Sequence, residues 1–252
     1  MLVEPAGPLN VGSVARLCAN FGIAELRLVA PRCDHRGPEA RQMAVHAGPL
    51  LEQAGIYADL AAALADCRRV VATSGRIEPE DLPLAPVGEA LAWLQAAGGG
   101  AAGPDGTAVA PGALVFGRED RGLSNDELRM AGRVVRLSTD PAYSSLNLSH
   151  AVAICLHELR RPAPRPVAAP VAASKAPAAE GGEPCARGPL EDALADAEAL
   201  LLEVGFLHPH TAHARMAKLR ALLQRAQVTD PEVALLRGMV RQLRWASQRR
   251  TP

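Results

Sequence analysis

Over residues 1–160 the chain alternates short apolar runs with stretches of helical periodicity, and a parallel α/β sheet is the architecture that satisfies this rhythm. Strands are expected at Leu2–Glu4, Glu25–Ala30, Arg69–Thr73, Ala113–Phe116 and Val134–Leu137. Helices are expected at roughly Val11–Phe21, Glu39–Gln53, Val87–Ala97, Asn125–Ala131 and Leu146–Arg160. Ser124-Asn125-Asp126-Glu127 has the form of a capping box, in which the serine and glutamate satisfy each other's backbone N–H groups. Leu148, Val152, Cys155 and Leu159 recur at helical spacing and predict one buried stripe. Helix-linked strands pair in parallel with both faces covered, and ligands of such sheets sit beyond the carboxyl ends of the strands.

The remainder of the chain differs in kind. Gly98–Gly112 is rich in Gly, Ala and Pro but lacks the Gly-Lys-Ser/Thr of a phosphate loop, which predicts a surface excursion. Seven of the 21 prolines fall in residues 162–189, which contain no Leu, Ile or aromatic residue. Such a segment buries too little to fold and is expected to be a semi-extended, disordered linker. Beyond it, Leu190–Val204, Ala212–Gln227 and Pro231–Ser247 predict three helices, the last opened by an Asp230 cap and Pro231. The expected organisation is therefore a domain over 1–161, a linker over 162–189 and a basic helical domain over 190–252. A three-helix unit of that size needs a partner surface, its own copy among the options.

Composition closes off several classes. At 48% hydrophobic residues the chain can build a core, but at 3% aromatics it cannot stack bases on a sheet carrying several rings. There is no uncharged apolar run long enough to span a bilayer, no basic n-region of a secretory signal, and five scattered cysteines without a CxxC pair. A soluble cytoplasmic protein with no membrane and no metal is expected. The balance of 27 basic and 27 acidic residues hides a polarity, because residues 213–252 hold nine basic residues against two acidic ones. Such asymmetry suits a surface that meets a polyanion, although a solvated helix face is the plainer reading of a basic helix alone.

Three strand-to-loop junctions carry polar residues that packing does not require. In Pro8–Arg16, Asn10 lies at the helix start and Arg16 lies off the apolar stripe of Val14, Leu17, Cys18 and Phe21, where a guanidinium can grip a phosphate. In Leu114–Ser124 an apolar strand stops at Gly117, which permits close backbone approach to a ligand, and four charged residues follow, Glu119 among them. In Tyr143–Ala151, Ser144 or Ser145 is placed to cap the next helix, and Asn147 in its first turn lacks such an explanation. His150 is given no role. Taken singly, each junction is equally well an exposed helix face or a solvated turn.

Together, Asn10-x-Gly12-Ser13-x-Ala15-Arg16…Asn20-Phe21-Gly22, Phe116-Gly117-x-Glu119…Gly122-Leu123 and Ser145-Leu146-Asn147-Leu148 resemble, in order and spacing, the three motifs of the SpoU/TrmH class of SPOUT RNA 2′-O-ribose methyltransferases. Gly205-Phe206-Leu207, His213-Ala214-Arg215-Met216-x-Lys218-Leu219-Arg220 and Leu236-Arg237-Gly238 resemble the C-terminal extension of the TrmJ-type tRNA (cytidine/uridine-2′-O-)-methyltransferases. The resemblance implies a trefoil knot at the carboxyl end of the sheet, a topology that general connection rules would exclude. It implies S-adenosyl-L-methionine held by three loops, carried here by Thr73-Ser74-Gly75, by Gly117, and by Leu137 with Ser144-Ser145-Leu146. It implies a homodimer with the active site at the subunit interface, acting on a cytidine or uridine of the tRNA anticodon loop. Gly75 stands where many relatives carry Ala.

Within that resemblance, Arg16 would hold the target phosphate and stabilise the developing alkoxide, since a guanidinium stays protonated and is no general base. Glu119 would orient Arg16 or a substrate hydroxyl, and Asn147 with Ser145 would fix the nucleotide. Asn10 completes the candidate set. A dinucleotide-dependent oxidoreductase would need a GxGxxG turn after the first strand, where Pro5-Ala6-Gly7-Pro8 stands instead. A non-catalytic RNA-binding protein, or a methyltransferase acting on rRNA, would share the fold.

Overall fold

In the computed structural model, which describes residues 1–75, 82–98, 111–143, 145–161 and 182–249, the apolar runs lie side by side and all point one way. The strands are β1 (Leu2–Val3), β2 (Arg27–Val29), β3 (Gly55–Tyr57), β4 (Arg69–Ser74), β5 (Gly112–Val115) and β6 (Arg133–Arg136). They form two three-stranded ladders, β1-β2-β3 and β5-β4-β6. The ladders join where the Val3 N–H donates to the Phe116 carbonyl at 2.9 Å and the Phe116 N–H to that of Met1 at 3.0 Å. The resulting order is β3-β2-β1-β5-β4-β6. Leu2, Leu28, Val70, Val71, Val115 and Val134 are each 1% exposed or less, as a sheet covered on both faces demands.

One face is covered by α1 (Pro8–Asn20), α2 (Pro38–Ala44) and α7 (Leu148–Arg160). Gly12 lets α1 and α2 approach closely, since a Cβ there would stand 2.1 Å from the Ala40 carbonyl oxygen. Against the β4–β6 ladder lies α5 (Val87–Gly98), whose Ala90 and Leu91 pack on Val71 and Val135. The capping box forms as expected and opens α6 (Asn125–Leu128): the Glu127 N–H donates to Ser124 Oγ at 3.2 Å and the Ser124 N–H to Glu127 Oε2 at 2.7 Å. Expected strand and helix ends elsewhere shift by a few residues.

Four expectations need correction. The helix predicted over Glu39–Gln53 is two, α2 and α3 (Gly48–Glu52), because Pro49 cannot continue a helix and Val45 turns out of it at φ 54°. The edge strand β3 and the short α4 (Leu60–Leu64) were not expected: β3 opens on a glycine and leaves Ile56 half exposed, so it shows no apolar run, and α4 is a single turn; Asp59 caps α4 by accepting from the Ala62 N–H at 2.8 Å. The helix predicted from Leu146 starts at Leu148 as α7. The last helix is capped by Thr229, whose N–H donates to Glu232 at 2.7 Å, rather than by Asp230.

The C-terminal unit comprises α8 (Arg187–Glu203), α9 (Pro209–Ala226) and α10 (Asp230–Gln248), closed around Leu190, Leu194, Leu207, Met216 and Val233. Residues 162–181 of the expected linker and residues 99–110 of the expected surface loop lie outside the described residues. Residues 182–189, also assigned to the linker, are packed instead. Cys185 is buried, the Arg187 N–H donates to the Cys67 carbonyl at 3.1 Å, and Arg69 pairs with Glu183 at 2.9 Å.

Because the Gly12 contact is with backbone, Gly12→Ala should lower folding stability by about 1–3 kcal/mol, read as a reduced denaturant midpoint with an unchanged slope.

Candidate active site

At the carboxyl ends of β4, β5 and β6 the chain leaves a cleft of about 460 Å³. Thr73, Ser74 and Gly75 line it from the end of β4, Gly117 from the turn after β5, and Leu137, Ser145 and Leu146 from the segment between β6 and α7. These are the described members of the set predicted to hold the cofactor; Ser144 lies outside the described residues. Thr73 Oγ1 donates to the Val115 carbonyl at 3.2 Å and ties the ends of β4 and β5 together. Phe116, Leu123 and Leu148 supply apolar wall, and each is under 10% exposed.

Gly117, which lines the cleft, is also required to be glycine by its own loop. A Cβ there would stand 2.3 Å from Gly122 C and 2.4 Å from Leu123 N, so the close approach is by its own loop folding back. That loop is closed by backbone hydrogen bonds between Arg118 and Gly122, with Gly122 at φ 68°.

The three polar junctions meet at Glu119. Its carboxylate accepts from the Ala6 N–H at 3.1 Å, the Gly7 N–H at 3.1 Å and Asn10 Nδ2 at 3.2 Å. Asn10 Oδ1 then accepts from Asn147 Nδ2 at 3.0 Å. Asn147 Oδ1 accepts from the N–H groups of Ser149 at 2.9 Å and His150 at 3.4 Å, which makes Asn147 the N-cap of α7. The chain of bonds has one direction. A carboxylate only accepts, so it fixes the Asn10 amide, which fixes the Asn147 amide, which fixes the helix start. Burial favours the neutral Glu119 carboxyl, yet the N–H donors of Ala6, Asn10 and Gly7 outweigh it and hold its pKa below the ordinary range.

Arg16 is not in this constellation. It is exposed on α1, makes no hydrogen bond or ion pair among the described residues, and does not line the cleft. Six residues of helix separate it from Asn10, about 9 Å along the axis. Glu119, expected to orient Arg16 or a substrate hydroxyl, holds Asn10 and the loop before α1 and does not touch Arg16.

Arg118 was not anticipated. Its guanidinium donates to both Glu127 oxygens at 2.9 Å and also to Glu4, with the side chain 11% exposed. Glu4, at φ 44°, also meets Arg121 at 3.4 Å. Arg118 thereby staples the cleft loop to the end of β1 and to the cap of α6. The Glu127 and Glu4 carboxylates push its pKa upward, so it stays charged. Its contact with Glu4 spans 114 positions, which no local pattern signals.

A parallel α/β domain with a cleft over the carboxyl ends of its strands defines a class, and comparison with known proteins places the chain within it. The family model described as the SpoU rRNA Methylase family matches residues 1–157, and that described as the tRNA methyltransferase TrmJ C-terminal domain matches residues 190–252. The chain belongs to the SpoU methylase family. More narrowly, it is 35% identical to the tRNA (cytidine/uridine-2′-O-)-methyltransferase TrmJ of Cronobacter sakazakii, over 95% of this chain and 93% of that protein. It is 32% identical to the tRNA (cytidine/uridine/adenosine-2′-O-)-methyltransferase TrmJ of Pseudomonas aeruginosa, over 95% and 91%. The solved structure of TrmJ from Z. mobilis superposes with a TM-score of 0.76 at 28% identity, covering 96% of each chain.

The lowered Glu119 pKa carries a sign. Its contribution to stability is present above the unfolded carboxyl pKa and is lost as pH falls through the lower folded value. Glu119→Gln should therefore be less stable than the natural protein at pH 7, and the gap between their melting temperatures should close below about pH 4.

Proposed function

We propose that this protein methylates the ribose 2′-hydroxyl of a cytidine or uridine in the anticodon loop of tRNA, with S-adenosyl-L-methionine as methyl donor. The observation that carries this reading is the convergence of the three motif segments, through Glu119, Asn10 and Asn147, beside the cleft. The cleft suits the donor in size, lying within the range of small-molecule sites. It suits it in chemistry too: the aliphatic walls of Leu137 and Leu146 can flank a purine, and the main chain of Thr73–Gly75 can read its edge. At Gly75 an added Cβ would meet nothing within 4 Å, so this side is open. Leu137, Ser145 and Leu146 line the cleft together with the Gly117–Leu123 loop, and we read this juxtaposition as the crossing of a trefoil knot.

S-adenosyl-L-methionine, when bound, supplies an electrophilic methyl carbon. The chain's own residues align the attacking oxygen and stabilise its charge, and alignment alone can lower a barrier by about 7–11 kcal/mol in the best cases. Ser145 and Asn147, both exposed at the cleft edge, position the nucleotide. Glu119 is a scaffold rather than a base, because its oxygens already accept three N–H groups. Arg16 stays protonated, holds the phosphate and stabilises the developing alkoxide, and the hydroxyl proton passes to a phosphate oxygen or to water.

Since Arg16 does not line the cleft of its own subunit, the reading requires a homodimer in which it reaches the partner's cleft. Leu9 and Ile154, on α1 and α7, are 50% and 41% exposed and supply apolar surface for that contact. The C-terminal unit presents Lys218, Arg237, Arg241 and Arg249 to solvent, a basic face for tRNA in the cytoplasm. Among the described residues no helix is long and apolar enough to cross a membrane, and no group of His, Cys, Asp and Glu is arranged to hold a metal.

With labelled donor and bulk tRNA, Arg16→Ala should lose methyl transfer by at least about 100-fold, the scale of a lost oxyanion donor, with calorimetric donor affinity unchanged. Mixed with subunits whose cleft is blocked by Leu146→Glu, Arg16→Ala subunits should regain activity, because one site of each heterodimer then combines an intact cleft with an intact arginine. A mixture as inactive as its parents would place Arg16 and the cleft in the same subunit.

A further inference from the structure

The seam between the first domain and the C-terminal unit holds a positive charge that makes no ion pair among the described residues. Arg187 opens α8 and is 8% exposed, and its Nε is buried without a hydrogen-bond partner. Among the described residues no carboxylate pairs with it. Glu191, one turn further on, is committed to Arg220, which donates from Nε at 2.9 Å and from Nη2 at 2.8 Å. Arg68, on the facing wall, is likewise engaged, by the Pro184 carbonyl at 2.7 Å and by Asp230 at 2.9 Å. A guanidinium N–H buried without an acceptor is penalised, so the Nε of Arg187 calls for an occupant beside it.

Two more orphaned donors border the same space. Trp93 Nε1 on α5 and Gln224 Nε2 on α9 are buried without partners, and both residues line, with Arg187, one cavity of about 10 Å³. Arg187 and Trp93 meet over Gly132, where an added Cβ would stand 3.1 Å from Arg187 Nη2 and 2.8 Å from the Trp93 ring. Every orphan is a donor. A water molecule there would accept from two of them, yet its own two hydrogens would need acceptors. An anion needs donors only. The volume admits an occupant of about one atom and excludes phosphate or sulfate.

We propose that this cavity binds a monatomic monovalent anion, chloride in the cell, held by Arg187, Gln224 and Trp93, and that the ion fastens the C-terminal unit to the first domain. Both domains contribute donors, so the ion bridges them.

The full chain is melted in chloride and in gluconate at equal ionic strength, and crystals are soaked in bromide. The melting temperature should be higher in chloride by about 3 °C, as binding to the folded state alone requires. That difference should vanish in Arg187→Met, and one anomalous bromide peak should lie within hydrogen-bond reach of Arg187 Nε. If Arg187→Met does not fold, Gln224→Leu is read in the same way. Equal melting in both salts, with water in the cavity or with the Gln224 amide turned so that its oxygen accepts from Arg187, overturns the proposal.

Discussion

A carboxylate has no proton to donate at neutral pH, and that asymmetry at Glu119 sets the direction of the bonds that run through Asn10 to Asn147. Its oxygens gather the Ala6 and Gly7 N–H groups and the Asn10 amide, Asn10 then orients Asn147, and Asn147 caps α7. The partners are distant in sequence, 109 positions for Asn10 and Glu119 and 137 for Asn10 and Asn147. Three loops that would otherwise move independently are thereby held over one end of the sheet. The bidentate grip of Arg118 on Glu127 secures the other flank of the same loop.

This arrangement separates structural from chemical duty. The carboxylate at the centre, Glu119, is engaged by three N–H donors, and the cation that looks most like an electrostatic stabiliser, Arg16, does not line its own cleft. On the function proposed above, a site divided in this way is completed by a second subunit. On that proposal assembly is a condition for activity, and the contact falls on the exposed apolar residues of α1 and α7.

Much of this was legible in the sequence because it is local. Buried valines and leucines marked the five longer runs that became strands, Ser124 and Glu127 announced a cap, and the three polar blocks stood out because packing gave no reason for them. What stayed hidden was either weakly patterned or too far apart. The edge strand at Gly55–Tyr57 carries no apolar run, since it opens on a glycine and leaves Ile56 half exposed. The role of Asn147 as cap was missed because two serines just before it were equally good candidates. The Glu4–Arg118 contact joins residues 114 positions apart and leaves no local trace. Residues 182–189 read as linker because their prolines and glycines resemble one, whereas a single buried Cys185 and backbone bonds from Arg187 and Gly188 dock them.

The most direct measurement is a double-mutant cycle across the Asn10–Asn147 bond, read as donor affinity by titration calorimetry. Asn147→Asp removes the amide donor but keeps an oxygen to cap α7, and Asn10→Ala removes the relay. If the relay assembles the cleft, each single change weakens binding and the double is scarcely worse than the poorer single, with a coupling of about 1 kcal/mol. Losses that simply add, or an affinity untouched by either change, would contradict it.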